Sequence, residues 1–235
     1  MDKRSLYKAI WVQLSADKSM VMLAGPRQAG KTTFARAIVA KDFTDTVYFN
    51  WDLAKDKSRL IADPAFFSKE PRSNMSSRPL VIFDEIHKYR DWKNYLKGVY
   101  DQFSSDYQFF VTGSGRLELS RKAGDSLAGR FLKFHIFPLT LAELLNRRRM
   151  LKDFLRDPLD GFGSAPAGET LEAFKSIWEF SGFPEPFMKG KKTFWLTWSA
   201  VYGQQIVRDD LMTVADIRNL DNVETLFALV PGRVA

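Results

Sequence analysis

From Gly25 to Thr32 the chain reads Gly-Pro-Arg-Gln-Ala-Gly-Lys-Thr: a glycine, four residues, then Gly-Lys-Thr. This is the pattern of a phosphate-binding loop. Its flanks constrain the fold further. Before it, Ser19 to Ala24 form a short apolar run; after it, Phe34, Ala35, Ala37, Ile38 and Val39 recur at helical spacing, so the segment reads strand, loop, helix. Glycine permits the turn that points successive N–H groups inward, and the start of the following helix adds positive potential where phosphates would lie. The candidate nucleotide-binding set is therefore Gly25, Pro26, Arg27, Gln28, Ala29, Gly30, Lys31, Thr32 and Thr33. Lys31 would meet the β and γ phosphates and the Thr32 hydroxyl would ligate Mg²⁺. The plain alternative is an ordinary glycine-rich strand-to-helix turn.

A loop of this kind needs a second, acidic element to hold the metal. Leu80-Val81-Ile82-Phe83-Asp84-Glu85, which places Asp84 53 residues after Lys31, supplies it: four apolar residues ending in two acids. At the C-terminal edge of a parallel sheet Asp84 would lie near Thr32 and the metal, and Glu85 would polarise an attacking water. A water-activating base beside the metal acid suits a hydrolase better than a kinase.

Further β-rich runs occupy residues 46 to 51, 107 to 112 and 131 to 137, and helical patterns lie between them. The clearest helix carries Trp92, Tyr95, Leu96, Val99, Tyr100 and Phe103, with Asp91 as its expected N-cap. Nearly continuous apolar strands alternating with helices predict an α/β, doubly wound parallel sheet covered on both faces. One strand, residues 46 to 51, falls between these two motifs along the chain, which suits the ATPase branch in which an extra strand separates the two motif strands. After residue 150 the pattern changes: residues 157 to 166 look like a linker, and the remainder is helical with an acidic bias. The expected domains are 1–150 and 151–235.

The fourth strand ends in Thr112-Gly113-Ser114-Gly115-Arg116, so Thr112 or Ser114 could sense the γ phosphate, although such residues are also common turn chemistry. Arg130 is a candidate for stabilising transition-state charge, in cis or on a neighbouring subunit, with a surface ion pair as its alternative.

Composition excludes other chemistry. With no cysteine, thiolate metal sites, disulfides and cysteine nucleophiles are absent, and with two histidines no zinc site is expected. No segment approaches 18 apolar residues and no signal-peptide core appears, so a cytoplasmic protein without membrane contact is expected. The net charge of +7 is uneven: 18 basic minus 13 acidic residues over 1–115, 9 minus 3 over 116–152, and 8 minus 12 over 153–235. The middle stretch, with Arg116, Arg121, Lys122, Arg130, Lys133, Arg147, Arg148, Arg149 and Lys152, could meet DNA phosphates or be a solvated face.

The series Gly-Pro-Arg-Gln-Ala-Gly-Lys-Thr-Thr, Phe-Asp-Glu-Ile-His-Lys-Tyr-Arg-Asp-Trp, Thr-Gly-Ser-Gly-Arg and Gly-Asp-Ser-Leu-Ala-Gly-Arg-Phe, with residues 137 to 144 and 181 to 186, resembles prokaryotic ATP-binding proteins of the AAA-ATPase superfamily that carry a C-terminal domain of unknown function. The resemblance implies a P-loop three-layer sandwich with a five-stranded parallel sheet in order 5-1-4-3-2. It also implies Mg-ATP as ligand, with Lys31, Thr32, Asp84 and Glu85 in the roles above. Members of that family run on past the point matching residues 226 to 235, so the helical residues 151–235 are expected to be the opening of a truncated second region.

Two readings follow from the same residues. One is an ATPase that couples hydrolysis to a C-terminal effector or DNA-related activity, with Glu85, Ser114 and Arg130 as catalytic candidates and a homo-oligomer as the setting for Arg130. The other is a nucleotide-controlled interaction switch in which hydrolysis is a slow reset. A GTPase lacks support, since no Asn/Thr-Lys-x-Asp element is present to read guanine.

Overall fold

The structure is a computed structural model and describes residues 4–113, 127–147, 151–158, 168–211 and 220–230. The chain forms two compact units, Met1–Phe174 and Lys175–Ala235.

The first unit opens with α1 (Ser5–Asp17), followed by β1 (Met20–Ala24), α2 (Lys31–Phe34), β2 (Thr46–Asn50), α3 (Ala54–Ala62), β3 (Leu80–Asp84), α4 (Trp92–Phe103), β4 (Gln108–Gly113) and β5 (Leu132–His135). The short helices α5 (Leu141–Leu144) and α6 (Leu151–Arg156) come next. All strand pairs are parallel and the sheet order is β2-β3-β4-β1-β5, the predicted order met from its other edge. β1, which carries the glycine-rich loop at its end, lies between β4 and the edge strand β5.

The alternation of side chains along each strand divides the core in two. Met20, Met22, Val81, Phe83, Phe109 and Val111 face the side covered by α3 and α4, where Leu60, Leu96 and Val99 are buried. Val21, Leu23, Leu80, Ile82 and Phe110 face the side where Tyr7 and Trp11 of α1 meet Phe34 of α2. Burial on both faces is why these strands read as apolar runs and not as alternating ones. Phe67, in a short helical turn after α3, is 1% exposed and packs edge-on against Phe83, Phe103, Tyr107 and Phe109.

Asp91 precedes α4 as expected, but its side chain does not cap the helix backbone. Its Oδ1 instead accepts from the side-chain amide of Asn94 at 2.7 Å. Spacing identified the position; a neighbouring side-chain donor took the carboxylate.

α7 (Gly168–Phe180) crosses the division between the units, and α8 (Pro184–Lys189), α9 (Lys192–Gln205) and α10 (Leu220–Leu229) lie in the second. Pro184 starts α8, where a missing N–H costs nothing, and Gly190 closes it in the left-handed conformation. Phe183, Trp198 and Tyr202 form a ring cluster with centroids 4.7 to 5.1 Å apart. Arg208 and Glu224 pair at 2.6 Å. No helix among the described residues is long and apolar enough to cross a membrane.

Candidate functional site

The glycine-rich loop leaves the C-terminal end of β1 and ends at the first turn of α2. Two of its positions favour glycine. A Cβ on Gly25 would come within 2.3 Å of the Ile136 carbonyl oxygen. Gly30 has φ 91°, the left-handed region that a side chain disfavours, at the residue preceding α2. Gln28 also has a positive φ, 60°. α2 continues beyond Phe34 through a widened π-type turn, Ala35–Val39.

Lys31 is 6% exposed, and its ammonium donates to the carbonyls of Gly25 at 3.0 Å and Pro26 at 2.9 Å. The side chain therefore folds back across the mouth of its own loop. Thr32 and Thr33 are exposed, Arg27 is half-buried, and Ala29 is buried against the α1 side of the core.

Asp84 ends β3 and is fully buried. Three hydroxyls donate to its carboxylate. Thr32 reaches Oδ2 at 2.7 Å from the loop, Tyr48 reaches Oδ2 at 2.7 Å from β2, and Thr112 reaches Oδ1 from β4. The sheet order makes this possible, since β3 lies between β2 and β4. A buried carboxylate with several donors is the usual solution to removing a charge from water. Tyr48 was not evident from the motifs. Of the two sensor candidates, Thr112 touches Asp84, while Ser114 lies outside the described residues.

Glu85 follows in the left-handed conformation at φ 56°, with its N–H donating to the Thr112 carbonyl at 3.1 Å. Its carboxylate is 20% exposed and 3.3 Å from the Lys88 ammonium, which also binds Asp52 at 2.6 Å. Burial raises the Glu85 carboxyl above its ordinary pKa, while the charges of Lys31 and Lys88 act in the opposite direction. His87 is buried, with Nε2 3.7 Å from Glu85 Oε2.

The Arg130 guanidinium pairs with Asp101 of α4, Nε to Oδ1 at 2.6 Å and Nη2 to Oδ2 at 3.1 Å. Of the basic stretch, Arg116, Arg121, Lys122, Arg148 and Arg149 lie outside the described residues, while Lys133 and Arg147 are exposed.

The oxygen donors at Asp84 and Thr32 fit a small hard cation such as Mg²⁺, which takes few protein ligands and completes its shell with water and substrate phosphate.

Comparison with known proteins agrees with this layout. The uncharacterized protein MJ1544 of Methanocaldococcus jannaschii is 27% identical over 224 residues, 92% of this chain and 47% of its own length. The uncharacterized protein Mb2031c of Mycobacterium bovis is 33% identical over 125 residues, 53% of this chain and 26% of its own. The chain thus spans less than half the length of these relatives. The Walker-type ATPase PABY2304 of Pyrococcus abyssi superposes with a TM-score of 0.52 at 15% identity, over 90% of this chain and 75% of that one, a likeness of fold. The AAA domain model matches residues 17–145, from the end of α1 through the five strands to just beyond α5, and the chain belongs to the AAA domain family.

Proposed function

We propose that this protein binds ATP with Mg²⁺ and hydrolyses it. The observation that carries this reading is the meeting of loop and acid: Thr32 of the glycine-rich loop donates to the buried Asp84 at 2.7 Å. Lys31, from the same loop, has an ammonium that two backbone carbonyls hold until phosphates replace them.

Loop N–H groups and Lys31 would cradle the β and γ phosphates, and Thr32 and Asp84 would hold the cation. When bound, Mg²⁺ neutralises charge on the phosphate oxygens and orients them. Glu85 would accept a proton from the attacking water as its oxygen bonds to the γ phosphorus. The bond to the bridging oxygen breaks, and ADP leaves with that electron pair. Partial burial suits Glu85 to this role because it makes the carboxylate a better proton acceptor than one in water. Thr112, or Ser114 beyond it, would report the γ phosphate to Asp84, and Arg130 would need to leave Asp101 to act on the transition state, in cis or across a homo-oligomer.

The second reading, a switch with slow hydrolysis, is favoured by the Lys88 ammonium 3.3 Å from Glu85, which holds the base in an ion pair. The positive excess over residues 116–152, nine basic against three acidic, makes DNA the nucleic-acid partner to try. A C-terminal effector role belongs to the same proposal.

The test is MgATP binding and steady-state hydrolysis by the chain, Lys31→Ala, Glu85→Gln and Arg130→Ala, with and without DNA at two salt concentrations. Binding lost in the first variant and retained without turnover in the second supports the ATPase. Binding without turnover in the unmodified chain favours the switch, and unchanged turnover in Arg130→Ala removes that residue from the mechanism.

A further inference from the structure

Arg4 precedes α1 and is 8% exposed, an unusual place for a guanidinium. Nη2 donates to the carbonyl of Ala29 at 2.8 Å, inside the glycine-rich loop. Nη1 donates to the carbonyl of Phe137 at 2.9 Å and to Glu143 Oε1 at 2.9 Å. Glu143 is held in turn: its side chain is 1% exposed, and Oε2 accepts from the backbone N–H of Thr140 at 3.1 Å in a capping box at the start of α5. The ring of Tyr7 lies 5.2 Å from the guanidinium, and its hydroxyl accepts from the N–H of Phe137 at 3.1 Å. Arg4 is therefore fixed on one side by α1 and the segment after β5, and reaches the loop with its remaining donors.

The contact with Ala29 has a consequence for its neighbour. In a trans peptide the C=O of one residue and the N–H of the next point in opposite directions. Fixing the Ala29 carbonyl toward Arg4 fixes the Gly30 N–H toward the other side. This peptide adjoins a glycine at φ 91°, whose tolerance of both signs of φ would otherwise let the peptide turn over and offer an oxygen where a phosphate needs a donor. A guanidinium suits the task better than an ammonium, because its planar fork serves separate acceptors at fixed angles.

We propose that Arg4 is a positioning residue for phosphate binding: anchored by the buried Glu143, it locks the Ala29–Gly30 peptide so that the Gly30 N–H is presented to the phosphates. The proposal rests on the nucleotide reading above for its ligand, while the locking itself is a property of the free chain.

Two readouts on the full chain separate these. Hydrogen exchange over residues 25 to 33 without nucleotide reports the lock, and calorimetric MgATP affinity reports its effect. Arg4→Met should raise exchange in that segment and weaken MgATP binding about ten- to a hundredfold, the size expected for losing a charged hydrogen bond. Arg4→Lys should recover part of both, and Glu143→Gln, which keeps an acceptor but loses the charge, should fall between parent and Arg4→Met. Leu96→Ala, on the opposite face of the sheet, should lower the unfolding midpoint and leave loop exchange and affinity at parent values. Loop exchange in Arg4→Met equal to the parent's, or raised no more than in Leu96→Ala, overturns the proposal. If Arg4→Met does not fold, Arg4→Lys and Glu143→Gln carry the same comparison. A parent that binds no ATP while Arg4→Met still loosens the loop removes the nucleotide reading and leaves the lock standing.

Discussion

The phenol of Tyr48 and the carboxylate of Asp84, on adjacent strands, share a 2.7 Å hydrogen bond in which Tyr48 donates to Oδ2. Burial and the neighbouring carboxylate raise the phenol's pKa, so it keeps its proton and remains a donor well into the alkaline range. The Arg36 guanidinium lies 4.9 Å from the centre of the ring and adds a cation–π contact on the same side chain. Tyr48→Phe keeps the ring and removes only the donor. We expect a loss of about 1 to 3 kcal/mol in urea unfolding at neutral pH, the range for one hydrogen bond to a charged acceptor. Because Thr32 and Thr112 still donate to Asp84, MgATP affinity should fall less than tenfold. An unchanged unfolding midpoint would mean that this bond contributes nothing net.

Gly25→Ala tests how tightly β5 and its continuation close on the loop. The added methyl would meet the Ile136 carbonyl at 2.3 Å and the Ile136 side chain at 2.8 Å, and the carbonyl is backbone that cannot rotate away. The variant should lose about 1 to 3 kcal/mol, as overpacked sites do. It should also lose nucleotide binding, because relief requires the start of the loop to move. Parent-like stability together with parent-like binding would show that the loop has slack at this point.

Phe67 is buried as deeply as many strand residues, although it lies in a connection. Its ring meets five others at centroid distances of 5.1 to 6.1 Å. Phe67→Ala should cost about 3 to 5 kcal/mol, by the lost transfer energy and the cavity left behind. Chemical denaturation followed by tryptophan fluorescence measures it, and a loss below about 1 kcal/mol would mean that the connection collapses to fill the space.

Asp45 gives an acid-side test. Its carboxylate accepts the backbone N–H groups of Ser73 at 2.8 Å and Asn74 at 3.1 Å, and these bonds lower its pKa below the ordinary carboxylate value. A group whose folded pKa is lowered contributes stability that is complete above its unfolded value and is lost as pH falls through the folded one. Asp45→Asn should therefore flatten the fall in stability below about pH 4. It should change little at pH 7 beyond the loss of those two contacts. Parallel acid-denaturation curves for parent and variant would remove Asp45 from that dependence.

What was legible in the sequence is what local pattern carries. The strand–loop–helix around Lys31 and the apolar run ending in Asp84-Glu85 are each contiguous, and each element formed within a residue or two of its reading. The approach of Thr32 to Asp84 followed from the general rule that such motifs share one sheet edge. Tyr48 was invisible because nothing in residues 46 to 51 says which strand lies beside them; only the sheet order gives Asp84 that neighbour. Arg4 and Glu143 escaped for a stronger reason, being 139 residues apart. Thr140 and Glu143 do bear a visible capping-box signature, but a cap explains one carboxylate oxygen and leaves the other without a reason. Asp91 is the converse case, a correct local position whose side chain found Asn94 instead.

The distance in sequence between Arg4 and Glu143 also orders events during synthesis. A chain made from its N-terminus presents the glycine-rich loop early, yet the carboxylate that anchors Arg4 emerges from the ribosome more than a hundred residues later. β1 likewise waits for both of its neighbours, since β4 and β5 follow it in the chain. The nascent loop therefore has its sequence long before it has its shape. On the nucleotide reading proposed above, an unfinished chain would carry the phosphate-binding residues without the means to aim them, and that capacity would arrive with the completion of the domain.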